Sequence, residues 1–159
     1  MNDMAQRIAP AAIRKTIEVR APIDRAFAVF ASRMGDWWHK EHSIAQGTTQ
    51  KDVVIEPRDG GRWYELGADG SEHLWGRVLS YEPPRRLVLA WQLTREFQYD
   101  PHFDTTVEVQ FEERDGVTIV HFEHRDLERM GPSAVEMLEG MDGGWGMLLD
   151  LFKAEAERG

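Results

Sequence analysis

The chain contains no cysteine. That excludes disulfides, thiolate chemistry and any zinc site that needs a Cys ligand. No stretch approaches the ~20 apolar residues of a membrane-spanning helix, and residues 1–12 hold no apolar run of signal-peptide length. Basic residues are in the minority: 19 Lys and Arg stand against 28 Asp and Glu, a net charge of -9 over 159 residues. Phosphate backbones are met by basic stripes, so this balance argues against a nucleic-acid partner. A phosphate-cradling loop is also missing, because the glycines at 140–146 follow no strand and lack the GxxxxGK(S/T) form. No motif calls for a metal or a cofactor. These absences leave a soluble, cytoplasmic, single-domain protein as the expectation, with residues 13–159 folded and residues 1–12 a loose leader.

What the chain has in excess is tryptophan, six in all. One of them lies on the stretch that organises the rest. From Ala134 the apolar residues Met137, Leu138, Met141, Trp145, Leu148, Leu149, Phe152 and Ala156 recur at intervals of three and four, one stripe of a long helix. Ser133 and Glu136 have the spacing of a capping box at its start. Gly140, Gly143, Gly144 and Gly146 surround Trp145. Each glycine inside a helix costs on the order of 1 kcal/mol, so the turn either breaks the helix or marks a close approach to a sheet or ligand. The close approach is the expectation here.

Ahead of this helix the period is two. Ile13 to Ala21 alternates as a strand; Pro22 ends it and opens a short helix with Phe27 and Phe30 on its apolar face; a second short element holds Trp37 and Trp38. Six strands are expected next, over 53–57, 61–66, 72–81, 86–93, 103–113 and 117–125, separated by turns such as Asp59-Gly60-Gly61, Ala68-Asp69-Gly70, Pro83-Pro84 and Asp115-Gly116. Short turns pair neighbours antiparallel. The fold class is therefore α+β: a curved antiparallel sheet of about seven strands, with two short helices after the first strand, wrapped around the long C-terminal helix. Gly60-Gly61 and Gly76 are the expected places to bend.

That order, with certain residues in place, resembles the SRPBCC superfamily, the START-like or helix-grip fold. The branch it is most similar to is named for the activator of the heat-shock protein 90 ATPase. The resembling residues are Ile17 to Pro22 leading into Ala26-Phe27, Gly60-Gly61-Arg62-Trp63, Pro83 to Trp91, Val107 to Glu112, and Gly144-Trp145 followed by Leu148 and Leu149. Gly143 and Gly146 are additions to that pattern. The resemblance implies a cavity between sheet and helix, and a part in stress response. It implies no single activity, since one fold serves many functions.

Within that frame the candidate ligand-binding residues are Trp37, Trp38, Trp63, Glu65, Trp91, Val107, Val109, Phe122, His124, Met137, Met141 and Trp145, around a closed or nearly closed pocket. The tryptophans fill a core or wall a pocket and offer indole N–H groups to a ligand. Met137 and Met141 adapt to variable shapes. Trp37-Trp38 and the link 95–102 are placed to close the mouth. By the resemblance, His124 looks inward with Val120 and Phe122, and Glu65 is a polar candidate beside it. The facing of Glu65 and Arg77 is open. His39 and His42 would share a helical face near Asp36, but a surface cluster is favoured over a metal site there, since no third and fourth ligands are visible. Three functions compete: binding of a small apolar or aromatic molecule, an enzyme of cyclase or hydrolase type using His124 with Glu65, and a module with a chaperone partner or a homodimer. The first is preferred, with no catalytic residue assigned.

Overall fold

The alternation over Ile13–Val19 becomes β1, buried at both ends. Pro22 stops it and leads into α1, Ile23–Ser32, with Asp24 in the first turn; α2, Met34–Trp37, follows at once. The computed structural model describes residues 11–131 and 135–158. In it the remaining strands are β2 (Gln50–Ile55), β3 (Arg62–Gly67), β4 (Glu72–Glu82), β5 (Arg86–Trp91), β6 (Thr105–Arg114) and β7 (Val117–Arg125). A 3-10 turn, Leu127–Met130, leads into α3, Val135–Glu157. All but two residues of the expected leader, and the capping-box Ser133, lie outside the described residues.

The seven strands form one antiparallel sheet in the order β1-β7-β6-β5-β4-β3-β2. Its outer face carries a ladder of ion pairs across five strands: Arg14–Glu123, Glu123–Arg125, Arg125–Glu108, Glu108–Arg86 and Arg86–Glu82, each between 2.6 and 2.8 Å. Burial alone would raise the Glu108 carboxyl, but hydrogen bonds from Arg86, Arg125 and Gln110 outweigh it and hold the group at about 2. The inner face is mostly apolar. Phe111 meets Phe27 of α1 at 5.2 Å between ring centroids, and Phe30 meets Phe152 of α3 at 5.1 Å.

Bending is concentrated on β4. Trp63 pairs with Gly76 while Tyr64 pairs with Leu74, so Trp75 is an extra residue. A bulge of this kind sharpens the local twist and re-aims a side chain. A second shift lies between Val78 and Ser80, leaving Leu79 exposed. Gly76 is needed where it stands, because a Cβ there would lie 1.8 Å from the Ala90 carbonyl oxygen.

The long helix lies nearest β1 and the two short helices and packs with the expected stripe: Met141, Trp145, Leu148, Leu149, Phe152 and Ala156 are buried. Its 23 residues span about 35 Å at 1.5 Å each. At its C-terminus Arg25 donates from Nε to the Ala156 carbonyl at 2.8 Å, and from Nη2 to those of Glu155 and Arg158 at 3.3 and 2.7 Å. A cation on the last carbonyls also complements the negative end of the helix dipole.

The glycine-rich turn departs from expectation in one respect. The helix runs unbroken through 140–146, and no close approach to the sheet occurs there. A Cβ at Gly140 or Gly143 would meet nothing within 4 Å, at Gly144 only His42 Cε1 at 4.0 Å, and at Gly146 only the Lys15 ammonium end, from 3.7 Å. These glycines border open space rather than a packed surface. Among the described residues, no helix is long and apolar enough to cross a membrane.

Candidate functional site

The open space beside that turn is a cavity of about 570 Å³ between α3 and the β4–β5 part of the sheet. Its volume falls within the ~300–1,000 Å³ of small-molecule sites. Four indoles form its wall: Trp38 from the end of α2, Trp75 and Trp91 from β4 and β5, and Trp145 from α3. The helix adds Met137, Gly140, Met141, Gly144 and Leu148; the segment after α2 adds Glu41, His42, Ser43 and Ile44; the link after β5 adds Leu93 and Phe97. Glu41, His42, Phe97 and Gly140 are exposed, so the cavity opens to solvent along this edge instead of being closed.

The wall belongs to a larger aromatic assembly. Trp38, Trp75, Trp63, Trp91 and Trp145 contact one another in a closed ring, with successive centroids 4.9, 5.6, 5.8, 5.8 and 5.7 Å apart. These separations suit tilted and edge-to-face packing. Trp37 joins at Trp38, 5.8 Å away. Trp145 therefore packs against Trp91 and borders the cavity as well.

The indole N–H groups of the wall are not offered to a ligand. Trp38 donates to the His42 carbonyl at 2.9 Å, Trp75 to Glu65 Oε1 at 3.2 Å, Trp91 to the Leu93 carbonyl at 3.1 Å, and Trp145 to His124 Nδ1 at 3.1 Å. What faces the cavity is ring surface. Trp63 Nε1, buried behind this wall, has no partner among the described residues.

His124 and Glu65 are the two polar groups that hold this arrangement. His124 Nδ1 accepts from Trp145, so the proton is on Nε2, which donates to Thr105 Oγ1 at 2.8 Å. The Thr105 hydroxyl donates onward to the Trp91 carbonyl at 3.4 Å. Burial pushes the His124 imidazole down to about 3 against a small opposing pull from Asp126, so it is neutral. Glu65 faces inward and is fully buried. Besides Trp75, it accepts from the Ile44 N–H at 2.9 Å and from the Ser43 hydroxyl. It thereby ties the segment at the mouth to β3 and β4. Arg77 faces outward and is 3.6 Å from Asp104.

Of the residues singled out from the sequence, Trp38, Trp91, Met137, Met141 and Trp145 line the cavity. Trp37, Trp63, Glu65, Val107, Val109, Phe122 and His124 are buried but outside its lining. Trp75 was not foreseen, since the bulge on β4 breaks the alternation that would have aimed it. His42, Ser43 and Ile44 lie in an irregular segment with no period to read, and Leu93 lies two residues beyond the end of β5, which stops at Trp91 and not at 93 as expected. The His39 and His42 rings are 5.2 Å apart, but on a turn after α2 rather than on a helix. Among the described residues no three His, Asp or Glu side chains gather as a metal site.

A curved antiparallel sheet gripping a long helix, with an apolar cavity where they part, defines the helix-grip, START-like class. Within it the chain belongs to the family described as Activator of Hsp90 ATPase homolog 1-like protein, whose profile matches residues 20–157. Among solved structures, an anthrahydroquino-gamma-pyrone synthase, Txn09, determined as a complex, is 30% identical, with TM-score 0.61 and coverage of 92% of this chain and 98% of that one. A self-sacrificing resistance protein, CalC from Micromonospora echinospora, is 26% identical, with TM-score 0.68 and coverage of 91% and 93%. The Aha1 dimer from Colwellia psychrerythraea shares the fold at 15% identity, with TM-score 0.66 and coverage of 94% and 98%. No curated protein matches the chain.

Proposed function

We propose that the protein binds a small apolar or aromatic molecule in the cavity between sheet and C-terminal helix. One observation carries this reading: four tryptophans line the same 570 Å³ space while their N–H groups are bonded elsewhere in the protein. Such a wall takes an apolar or aromatic guest out of water without leaving its own indole donors unpaired. The glycines of α3 support it, since Gly140 and Gly144 line the space and withhold side chains that would fill it. The likeness to a synthase named for a fused aromatic product is in keeping with such a ligand.

An enzyme of cyclase or hydrolase type on the same cavity is the second reading, favoured by that same likeness. His124 and Glu65 both have their polar atoms engaged by protein groups, so such chemistry would fall to His42 and Glu41 at the mouth. A chaperone partner or a homodimer is the third, resting on the family and its dimeric relative.

Titration with the neutral fluorophore N-phenylnaphthylamine tests the first reading. One probe per chain should bind and quench tryptophan emission. Gly144→Leu, which puts a side chain into the cavity, should weaken binding by about tenfold or more, whereas Asp150→Leu on the exposed face should leave it within about twofold. Absence of saturable binding to the wild-type chain would overturn the reading.

A further inference from the structure

We infer that His42 is the specificity-determining polar contact of the cavity, and that the ligand it selects is an aromatic molecule carrying a phenolic or enolic hydroxyl at its mouth end. This rests on the reading above, that an aromatic molecule occupies the cavity.

The inference follows from which polar groups remain available once the internal hydrogen bonds are assigned. The four indole N–H groups of the wall are taken. The Ser43 hydroxyl donates to Glu65, and its oxygen accepts from the Ala45 N–H at 3.1 Å. The polar side chains of the lining that stay free are those of Glu41 and His42. Among the described residues neither imidazole nitrogen of His42 has a hydrogen-bond partner, and the aromatic ring beside it is that of His39, 5.2 Å away.

The backbone at this point is fixed. The His42 carbonyl accepts from Trp38 Nε1 at 2.9 Å and from Gln50 Nε2 at 3.0 Å, and its N–H donates to the His39 carbonyl at 2.9 Å. Two residues further on, Ile44 is held by Glu65. A side chain left unpaired on a backbone anchored at several points is placed for a partner that arrives from outside. It also lies beside the gap in the helix, because a Cβ at Gly144 would reach His42 Cε1 at 4.0 Å.

The chemistry of the pair decides what they select. Partial burial lowers the His42 pKa, the charge of His39 lowers it further, and Glu41 opposes both. These two neighbours, both from its own turn, are the charged groups acting on it; the helix turn opposite contributes glycine. A neutral imidazole accepts a hydrogen bond from a hydroxyl at one nitrogen and donates one from the other, and the Glu41 carboxylate can only accept. Two acceptors beside a single imidazole N–H, at an otherwise apolar mouth, favour a ligand that donates at that end, and the Glu41 charge disfavours a carboxylate. A site built to bond a hydroxyl rejects the analogue that lacks it.

The test compares naphthol with methoxynaphthalene, which keeps the ring and the oxygen but cannot donate. On the wild-type chain at pH 7.5, tryptophan quenching should give naphthol an affinity about tenfold higher, near the upper range of one net hydrogen bond. His42→Phe should cut that preference to about threefold or less, the remainder being accepted by Glu41. In the wild type, lowering the pH through a midpoint below 6.5 should reduce it likewise, since the protonated ring no longer accepts. Equal affinities for the two probes on the wild type would overturn the role of His42 and leave the binding reading intact, with no variant needed. A preference that stays at about tenfold in His42→Phe would assign it to another group. No binding of either probe would overturn both.

Discussion

At the scale of single residues, His124 is fully buried with both ring nitrogens bonded. Its two nitrogens join Trp145 on the helix to Thr105 on β6, and Thr105 to the carbonyl of Trp91. Because its folded pKa lies far below the unfolded value near 6.5, the unfolded chain takes up the extra proton first. The corresponding stability is complete above about pH 6.5 and falls as pH drops toward 3, by up to about 1.4 kcal/mol per unit. Urea midpoints between pH 7 and 5, above the range where carboxylates titrate, should therefore decline in the wild type. They should decline less steeply in His124→Gln. The His42 shift has the same sign, so His42→Gln is the reference that isolates the buried ring. A slope unchanged in His124→Gln would place the acid sensitivity elsewhere. Trp145→Phe keeps most of the ring packing but leaves His124 Nδ1 without a donor; an unsatisfied buried acceptor costs about 1–3 kcal/mol, which the urea midpoint should register.

At the scale of elements, the long helix combines one strong stripe with one weak turn. Gly143 lies inside the helix, is exposed, borders open space and is outside the cavity lining. Gly143→Ala should raise stability by about 1 kcal/mol and leave probe affinity unchanged, as read from denaturant midpoints and fluorophore titration. At the far end of the helix, Arg25→Ala removes three donors from its last carbonyls and should cost about 1–3 kcal/mol in the same measurement. The helix stripe and the seven strands were legible because a period of 3.6 and a period of two leave different patterns, and β7 begins and ends where the alternation does. The role of the glycines was legible only in part, because composition marks a turn without side chains but does not choose between an adjoining sheet and an adjoining space. Trp75 escaped because it sits at a register shift, where one extra residue reverses the facing that alternation implies. Glu65 stayed ambiguous because a buried carboxyl depends on partners more than twenty residues away in Ser43 and Ile44.

At the scale of the whole molecule, Glu65 links three parts that are separate in sequence: the segment after α2, β3 and β4. Glu65→Ala would strip a partner from the Ser43 hydroxyl, the Ile44 N–H and the Trp75 indole together. The expected outcome is a loss of about 3 kcal/mol or more, together with weakened probe binding as the mouth segment comes loose. Glu65→Gln keeps one accepting oxygen and should fall between the two. If Glu65→Ala lost stability but bound the fluorophore unchanged, the mouth would be held by Trp38 and Gln50 alone.

The ring of five tryptophans also bears on how such a protein could change its ligand over generations. Each indole touches two others of the ring, so replacing one disturbs both neighbours, and the effects of paired replacements are coupled rather than additive. Drift through the wall, one substitution at a time, therefore passes through damaged intermediates. The irregular rim at Glu41, His42, Ile44 and Phe97 has no such interlock, and loops on a rigid scaffold tolerate exchange. In a library randomised over both regions and selected for a new aromatic guest, the accepted changes should gather at the rim and leave the ring intact.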